Sequence, residues 1–310
     1  MVALFAVVGG IGSWFYLRSL DQAVNRTDVF GNTPEGSRPV KVTEDSTNYL
    51  LLGADSAVED GGSSRADTII LAHVPANKES AQFISIPRDT WIPIPPAKDG
   101  SGGGTSGKIN SAYALGGVPR AVQAVESFTG VHIDHAAVVD FAGFSKIIDA
   151  LGGIDITVDQ SFTSASPPYR QFKVGPQHMD GTVALDYARQ RHPFADGDFA
   201  RMRHQRDIIA AVFNQASELS VLSGPAKLDS VIRSLASAVT VDETMSLLDM
   251  VGLLRTISGG QLSMLTSPSS GTGMVGDQSV VFADTDAANV LYEAVRTDTM
   301  DDYLAAHPPA

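Results

Sequence analysis

The sequence predicts an α/β protein: a mixed or largely parallel central sheet flanked by helices. Three observations carry that expectation. Short, branched apolar runs at Tyr49–Leu52, Thr68–Val74 and Gln82–Ile86 end in turn residues, as buried strands do. Helical patterns then alternate with further strands. After Asn48 neither an internal repeat nor a second linker divides the chain, so residues 47–310 read as one folded unit.

The elements follow in order. Pro119 sits at a first-turn position of a helix reaching Phe128, because a first-turn residue needs no N–H partner. His135–Val139 reads as a strand, and Phe141–Leu151 as a helix closed by Gly152-Gly153. Ile154–Val158 is the next strand. Asp180 caps a helix to about Arg189, and Asp198 caps a longer one to about Leu219. Leu247–Ile257, Leu262–Thr266, Ser279–Phe282 and Ala287–Val295 continue the alternation.

Composition removes several function classes. Thirty-five acidic against 22 basic residues give a formal net charge of −13, which opposes binding to a nucleic-acid backbone. Any phosphate site must be a local basic cluster. With no cysteine, disulfides and thiolate metal sites are both ruled out. Val2–Leu17 is apolar throughout, with Trp14 and Tyr16 at its far end, and reads as a membrane segment, although short against roughly 20 residues for a full span. A signal-peptide core is the alternative, but Ala-x-Ala-like cleavage chemistry is missing after Leu17. Residues 1–20 are therefore read as an anchor. Polar residues 21–46, with scattered Gly and Pro, are read as an extracytoplasmic stalk.

Two stretches suggest phosphate chemistry. Gly102–Ile109 nearly spells a phosphate-binding loop, but Ile109 stands where a Mg²⁺-binding hydroxyl belongs, and Pro93, Pro95 and Pro96 are unsuited to the buried strand that should precede it. A surface loop is the expectation there. The second stretch runs Arg189-Gln190-Arg191-His192, then Asp198, Arg201, Arg203, Gln205 and Arg206. On a helix, Asp198, Arg201, Gln205, Ile208 and Val212 form one stripe whose polar start leads into an apolar run. Arginines near a helix amino end sit against the dipole. Two cations about 4 Å apart cost on the order of 4 kcal/mol at an effective dielectric of about 20, so the cluster requires acids or a bound anion. On charge spacing alone, a solvated face paired to Asp196, Asp198 or Asp207 explains it equally well. Asp55, Arg65 with Asp67, and Arg88 with Asp89 all fall at strand ends, where α/β sheets hold ligands. Two such carboxylates can share Mg²⁺; each aspartate taken singly is more readily a turn or cap residue.

The segments NYLLLGADS, SRADTIIL, ISIPRDTW, KINSAYALGG, HAAVVDFAGFSKIIDALGGIDITV, MDGTVALDYARQRH and DGDFARMRHQ resemble, in order, the signature blocks of the LytR-CpsA-Psr family over roughly residues 48–215. That resemblance implies an α/β sandwich whose hydrophobic pocket holds a polyprenyl chain, with arginines around its pyrophosphate. It implies Mg²⁺, with Mn²⁺ as the alternative, on Asp55 and Asp67. It places Arg65, Arg88, Arg189, Arg191, Arg201 and Gln205 on phosphates or neighbouring groups, with Lys108 joining them. Ala54, Ser56 and His204 depart from common family residues.

The activity so implied transfers a glycopolymer from a polyprenyl-pyrophosphate donor onto peptidoglycan outside the cytoplasm. Arg88, Arg189 and Arg191 would stabilise phosphoryl charge, and the base stays open between Asp89 and Asp67. Hydrolysis of a lipid pyrophosphate and a non-catalytic, wall-associated regulatory role are the competing readings.

Overall fold

The computed structural model describes residues 24–31, 33, 35–55, 65–96, 104–191, 194, 197–222, 233–234, 236–246, 256 and 261–308. The apolar segment at 2–17 and most of 247–257 lie outside the described residues. Within them, no helix is long and apolar enough to cross a membrane.

The chain begins with strands β1 (Asn25–Thr27), β2 (Thr47–Ala54), β3 (Ala66–Val74), β4 (Ser80–Ser85), β5 (Trp91–Pro93) and β6 (Ser106–Lys108). Helix α1 (Ser111–Thr129), β7 (His135–Asp140), α2 (Phe141–Leu151) and β8 (Ile154–Val158) follow. Next come the short strands β9 (Phe162–Thr163), β10 (Gln171–Phe172) and β11 (Gly175–Met179), then helices α3 (Gly181–Arg189) and α4 (Asp198–Leu222). The remainder is β12 (Val239–Asp242), β13 (Gln261–Thr266), β14 (Ser269–Val275), β15 (Gln278–Ala283), α5 (Thr285–Arg296) and α6 (Met300–Ala306).

Seven strands form the main sheet in the order β1-β12-β7-β2-β3-β4-β13. It is mixed. The pairs β1/β12, β2/β7 and β4/β13 are parallel, while β12/β7, β2/β3 and β3/β4 are antiparallel. The largely parallel alternative fails because the loops joining β2 to β3 and β3 to β4 are too short for a crossover helix.

Side-chain alternation divides the sheet into two apolar faces. Leu50, Leu52, Ile69, Leu71, Ile84 and Val138 pack against α1, α5 and α6. Tyr49, Ile70, Ala72 and Phe83 face the other way, toward Ile209 and Phe213 of α4. A third cluster joins α2, α3 and α4 to β8–β11. Helices α2 and α3 meet closely at Gly181, where an added Cβ would lie 2.3 Å from the Ser145 carbonyl oxygen. Asp140 and Asp180 cap these helices by accepting from the N–H groups of Gly143 and Val183.

Three sequence expectations change. The helix predicted from Pro119 begins at Ser111, with a break at Gly116 and Gly117, so Pro119 opens its second segment. The long helix begins at Asp198 itself rather than after it. The segment read as a stalk instead docks on the domain. Strand β1 adds to the sheet edge, and Arg26 donates to the carbonyls of Asp242 (3.2 Å) and Met245 (2.6 Å). Arg38 pairs with buried Glu126 at 2.7 Å. Three polar residues at an edge carry no hydrophobic period, which is why the sequence pattern misses them.

Candidate active site

Three strand ends meet at one edge of the sheet. Asp55 directly follows β2, Arg65 precedes β3, Asp67 is the second residue of β3, and Arg88-Asp89 follows β4 through Pro87. The β2/β3 ladder carries a register shift between Gly53 and Ala54. There the backbones come so close that a Cβ on Gly53 would meet that of Thr68 at 2.9 Å. Arg88 and Asp67 form a charge-assisted hydrogen bond through Nη1 and Oδ1. Asp89 accepts from Lys108 Nζ at 3.0 Å, and its second oxygen lies 3.9 Å from Arg88 Nε.

The turn bearing Arg88 and Asp89 is tied on both sides. The N–H of Asn110 donates to the Arg88 carbonyl at 3.1 Å, and that of Val281 on β15 to the Asp89 carbonyl at 2.9 Å. The Thr90 hydroxyl closes the turn onto Pro87 at 2.6 Å. Residues 106–108 are thus not a surface loop as expected. They form β6, pairing with β5, and Pro93 occupies the end of β5 on this two-stranded ribbon.

Arg189 and Arg191 reach the same place from α3. The Arg189 guanidinium stacks over Phe141 at 4.4 Å from the ring centroid. Between them Gln190 is buried: its amide nitrogen donates to Asp186 Oδ1 at 2.7 Å, and its oxygen accepts from the Ala165 N–H at 2.8 Å. That lock sets the two arginines on either side of a fixed backbone. The Asp55 carboxyl is held above its ordinary range, first by partial desolvation and second by the charge of Asp67, while Arg189, Arg88 and Arg65 pull it down.

Two cavities adjoin this cluster. The first, of about 390 Å³, runs between the sheet and helices α2, α3 and α4, with walls that include Leu51, Ile70, Phe83, Phe144, Ile147 and Val212. Its mouth holds Asp67, Arg88, Arg189, Arg191, Arg201 and Gln205. The helical stripe expected from Arg201 to Val212 lines it, except that nothing of the Asp198 side chain is described. Arg203 and Arg206 do not share this mouth. Their charges act on Asp207, which therefore accounts for part of the basic run as an ordinary helix face. His204 is buried against Tyr187 at 4.1 Å between ring centroids.

The second cavity is a polar cleft of about 850 Å³. Arg65, Asp89 and Lys108 line it, and it shares Arg88 and Arg191 with the apolar pocket. Lys108 therefore stands on the cleft side of the cluster. Trp91, which opens the three-residue β5, and Gln278, which opens β15, also line the cleft, and sequence reading missed both, because so short a strand and a polar strand start carry no hydrophobic period.

Fold and site together define an α/β protein with an apolar pocket beside the sheet and a cluster of arginines and aspartates at its mouth. The chain belongs to the LytR-CpsA-Psr family, whose model matches residues 15–297. It is 38% identical over 201 residues to the polyisoprenyl-teichoic acid–peptidoglycan teichoic acid transferase TagU of Halalkalibacterium halodurans, covering 64% of this chain and 63% of that one. The chain thus spans somewhat less than two thirds of that relative's length. It is also similar to the crystal structure of B. subtilis TagV, with 28% identity and a TM-score of 0.69 over 83% of this chain and 98% of that one. A LytR-Csp2A-Psr enzyme from Actinomyces oris, 23% identical, shares the fold with a TM-score of 0.70 over 88% of this chain and 95% of that one.

Proposed function

We propose that this chain is a phosphotransferase that moves a polyprenyl-pyrophosphate-linked glycopolymer onto peptidoglycan and releases polyprenyl phosphate. The observation that supports this most is the position of Arg88 and Arg191, which border both the apolar pocket and the polar cleft. A pyrophosphate there has its prenyl tail in the pocket, where each buried methylene contributes about 0.8 kcal/mol. Its phosphoryl oxygens meet guanidinium forks from two elements, Arg88 after β4 and Arg189 with Arg191 at the end of α3. Preorganised donors of this kind are most of what phosphoryl transfer requires. The name of the TagU relative, with a polyisoprenyl-linked donor and a peptidoglycan acceptor, is in keeping with this chemistry.

In the reaction, an acceptor hydroxyl oxygen bonds to the glycan-side phosphorus while the bond from that phosphorus to the prenyl phosphate oxygen breaks. Prenyl phosphate leaves with the bonding electrons, and the hydroxyl proton passes to a base. We assign that base to Asp89, since it lines the open cleft, whereas Asp67 is engaged by Arg88 at the mouth of the pocket. Lys108 holds Asp89 in place.

Asp55 and Asp67 fit a hard divalent cation. Their mutual repulsion, which helps raise the Asp55 carboxyl, is what such a cation would relieve. Among the described residues no group of three or more His, Cys, Asp or Glu gathers, so the remaining ligands would be phosphate oxygens and water, as Mg²⁺ favours. Mg²⁺, or Mn²⁺ in its place, would neutralise charge on the pyrophosphate. Asp55→Ala and Asp67→Ala are expected to lose the Mg²⁺ dependence of transfer while keeping a native circular-dichroism spectrum. Normal transfer by both variants in excess chelator would show the two carboxylates to be structural.

Incubating the protein with a polyprenyl-pyrophosphate glycan and soluble peptidoglycan tests the reaction itself. A phosphodiester-linked polymer and free prenyl phosphate are expected. Free phosphosugar instead would make the protein a lipid-pyrophosphate hydrolase, and no prenyl phosphate at all would leave a non-catalytic, wall-associated protein. The apolar run at 2–17 would hold the domain at the outer membrane face, where such donors meet the wall. A reporter fused after Leu304 should then work only outside the cytoplasm, and one active only inside would refute this placement.

A further inference from the structure

The polar cleft has a chemistry of its own that the pyrophosphate cluster does not use. One wall is the β5/β6 ribbon, with Trp91 paired to Lys108 through the backbone. The other carries Gln278 and Ser279 at the start of β15. The two walls are joined by the Val281 N–H bond to the Asp89 carbonyl at 2.9 Å and by a parallel bridge between Thr90 and Val281. Between them lies Asn110. It is only 5% exposed, lines the cleft, and opens helix α1 without a side-chain capping hydrogen bond. With no capping bond to make, this amide is left to a ligand or water in the cleft.

We infer that this cleft is the subsite for the acceptor glycan, with Trp91, Asn110 and Gln278 as the residues that select and orient the sugar carrying the attacking hydroxyl. The inference rests on the transferase reading above. Its geometry follows from in-line displacement, in which the attacking oxygen enters opposite the leaving oxygen. The leaving prenyl phosphate belongs to the apolar pocket, and Arg88 and Arg191 stand between that pocket and the cleft. The acceptor therefore approaches from the cleft, on the side where Asp89 waits for its proton. The donor's own sugar stays bonded to that phosphorus as an equatorial substituent and projects sideways from the line of attack. An indole face with amide and hydroxyl groups around it suits a pyranose ring, which offers apolar C–H faces and a rim of hydroxyls. The cleft's volume, about 850 Å³ against about 390 Å³ for the apolar pocket, gives room for more than one sugar ring.

The chain has two tryptophans, Trp14 and Trp91, so Trp14→Phe leaves Trp91 as the sole indole reporter. A soluble, uncrosslinked peptidoglycan oligomer, added without donor to the full-length Trp14→Phe protein, is expected to change Trp91 fluorescence in a saturable way. Adding Gln278→Ala or Asn110→Ala should weaken that binding about fivefold or more, the scale of one lost hydrogen bond. In turnover, Gln278→Ala should raise the KM for the oligomer by the same factor and leave the KM for the lipid donor within about twofold. Gln278 is exposed, so this variant folds even if Trp91→Ala does not. No fluorescence change with an unaltered acceptor KM overturns the assignment. A rise in donor KM instead gives the cleft to the donor's sugar and also overturns it. Saturable glycan binding by a protein that releases no prenyl phosphate would uphold the glycan site and sink the transferase reading alone.

Discussion

Replacing Arg191 with alanine is expected to lower prenyl-phosphate release about 10²-fold or more, the scale of removing one preorganised donor from a developing charge. Arg191→Lys should fail nearly as badly, because an ammonium cannot reproduce the planar two-pronged grip of guanidinium on phosphate. The same holds for Arg189, whose stacking on Phe141 fixes the plane of its fork. Stability separates these residues from Arg88. Arg189 belongs to the last turn of α3, and Arg191 follows its Gln190 cap, so trimming either leaves the backbone lock of Gln190 intact. Melting temperatures of both variants should therefore stay within about 2 °C of the parent, less than the roughly 2–4 °C that losing about 1 kcal/mol would cost. Arg88→Ala should lose activity and stability together, since it strands Asp67 beside Asp55 at a cost of about 1–3 kcal/mol. Measuring melting temperature and prenyl-phosphate release on the six Ala and Lys variants decides the matter. Stable lysine variants with full activity would eliminate the bidentate clamp.

A chain ended at Gly224 is expected to collapse into a molten or insoluble state. Such a chain lacks β12 and β13, which pair with β7 and β4 in the main sheet, and with β12 it loses the strand that β1 pairs with. Two unpaired edges then face solvent, an invitation to aggregation. It also lacks α5, whose Leu291, Tyr292 and Val295 are buried against the sheet, and the Tyr292 hydroxyl bond to Ser267 at 2.8 Å. His73, buried between Asn48 (2.8 Å) and Asp298 (3.0 Å), loses the second of those partners. Near-ultraviolet circular dichroism and binding of a hydrophobic dye should report lost packing with retained secondary structure. A soluble, active fragment would mean that the C-terminal third is a separate unit.

The strands and helices of the first half were legible because their signals are local. Tyr49–Leu52, Thr68–Val74 and Phe141–Leu151 each carry a hydrophobic run of the right period, and Asp180 carries a cap that the structure shows bonding Val183 at 2.8 Å. The stripe from Arg201 to Val212 was legible for the same reason. Although β15 reads as a strand at Ser279–Phe282, its partner β14, the edge strand β1 and the β5/β6 ribbon were not legible. They are short or rich in polar and glycine residues, and they are held by partners more than 100 residues away or by a neighbouring ribbon. Such pairings have no counterpart in a local period.

The sequence by itself determined the α/β class, the family and the set of charged residues at strand ends, since each is written in short contiguous motifs. It did not determine which of those charges act together. Arg201, Arg203 and Arg206 look alike along the chain, yet only Arg201 points into the pocket mouth, while the other two act on Asp207, because residues two or five apart fall on different sides of a helix. Asp67 and Asp89 look alike along the chain, yet Asp67 lines the apolar pocket and Asp89, beside Lys108, lines the polar cleft, with Arg88 bordering both. Likewise Trp91, Asn110 and Gln278 share one cleft because the Val281–Asp89 bond and the Thr90–Val281 bridge hold the C-terminal hairpin against the β5/β6 ribbon. Local interactions choose elements, but a site is made by distances between elements, and those are decided by packing of the whole sheet and its helices.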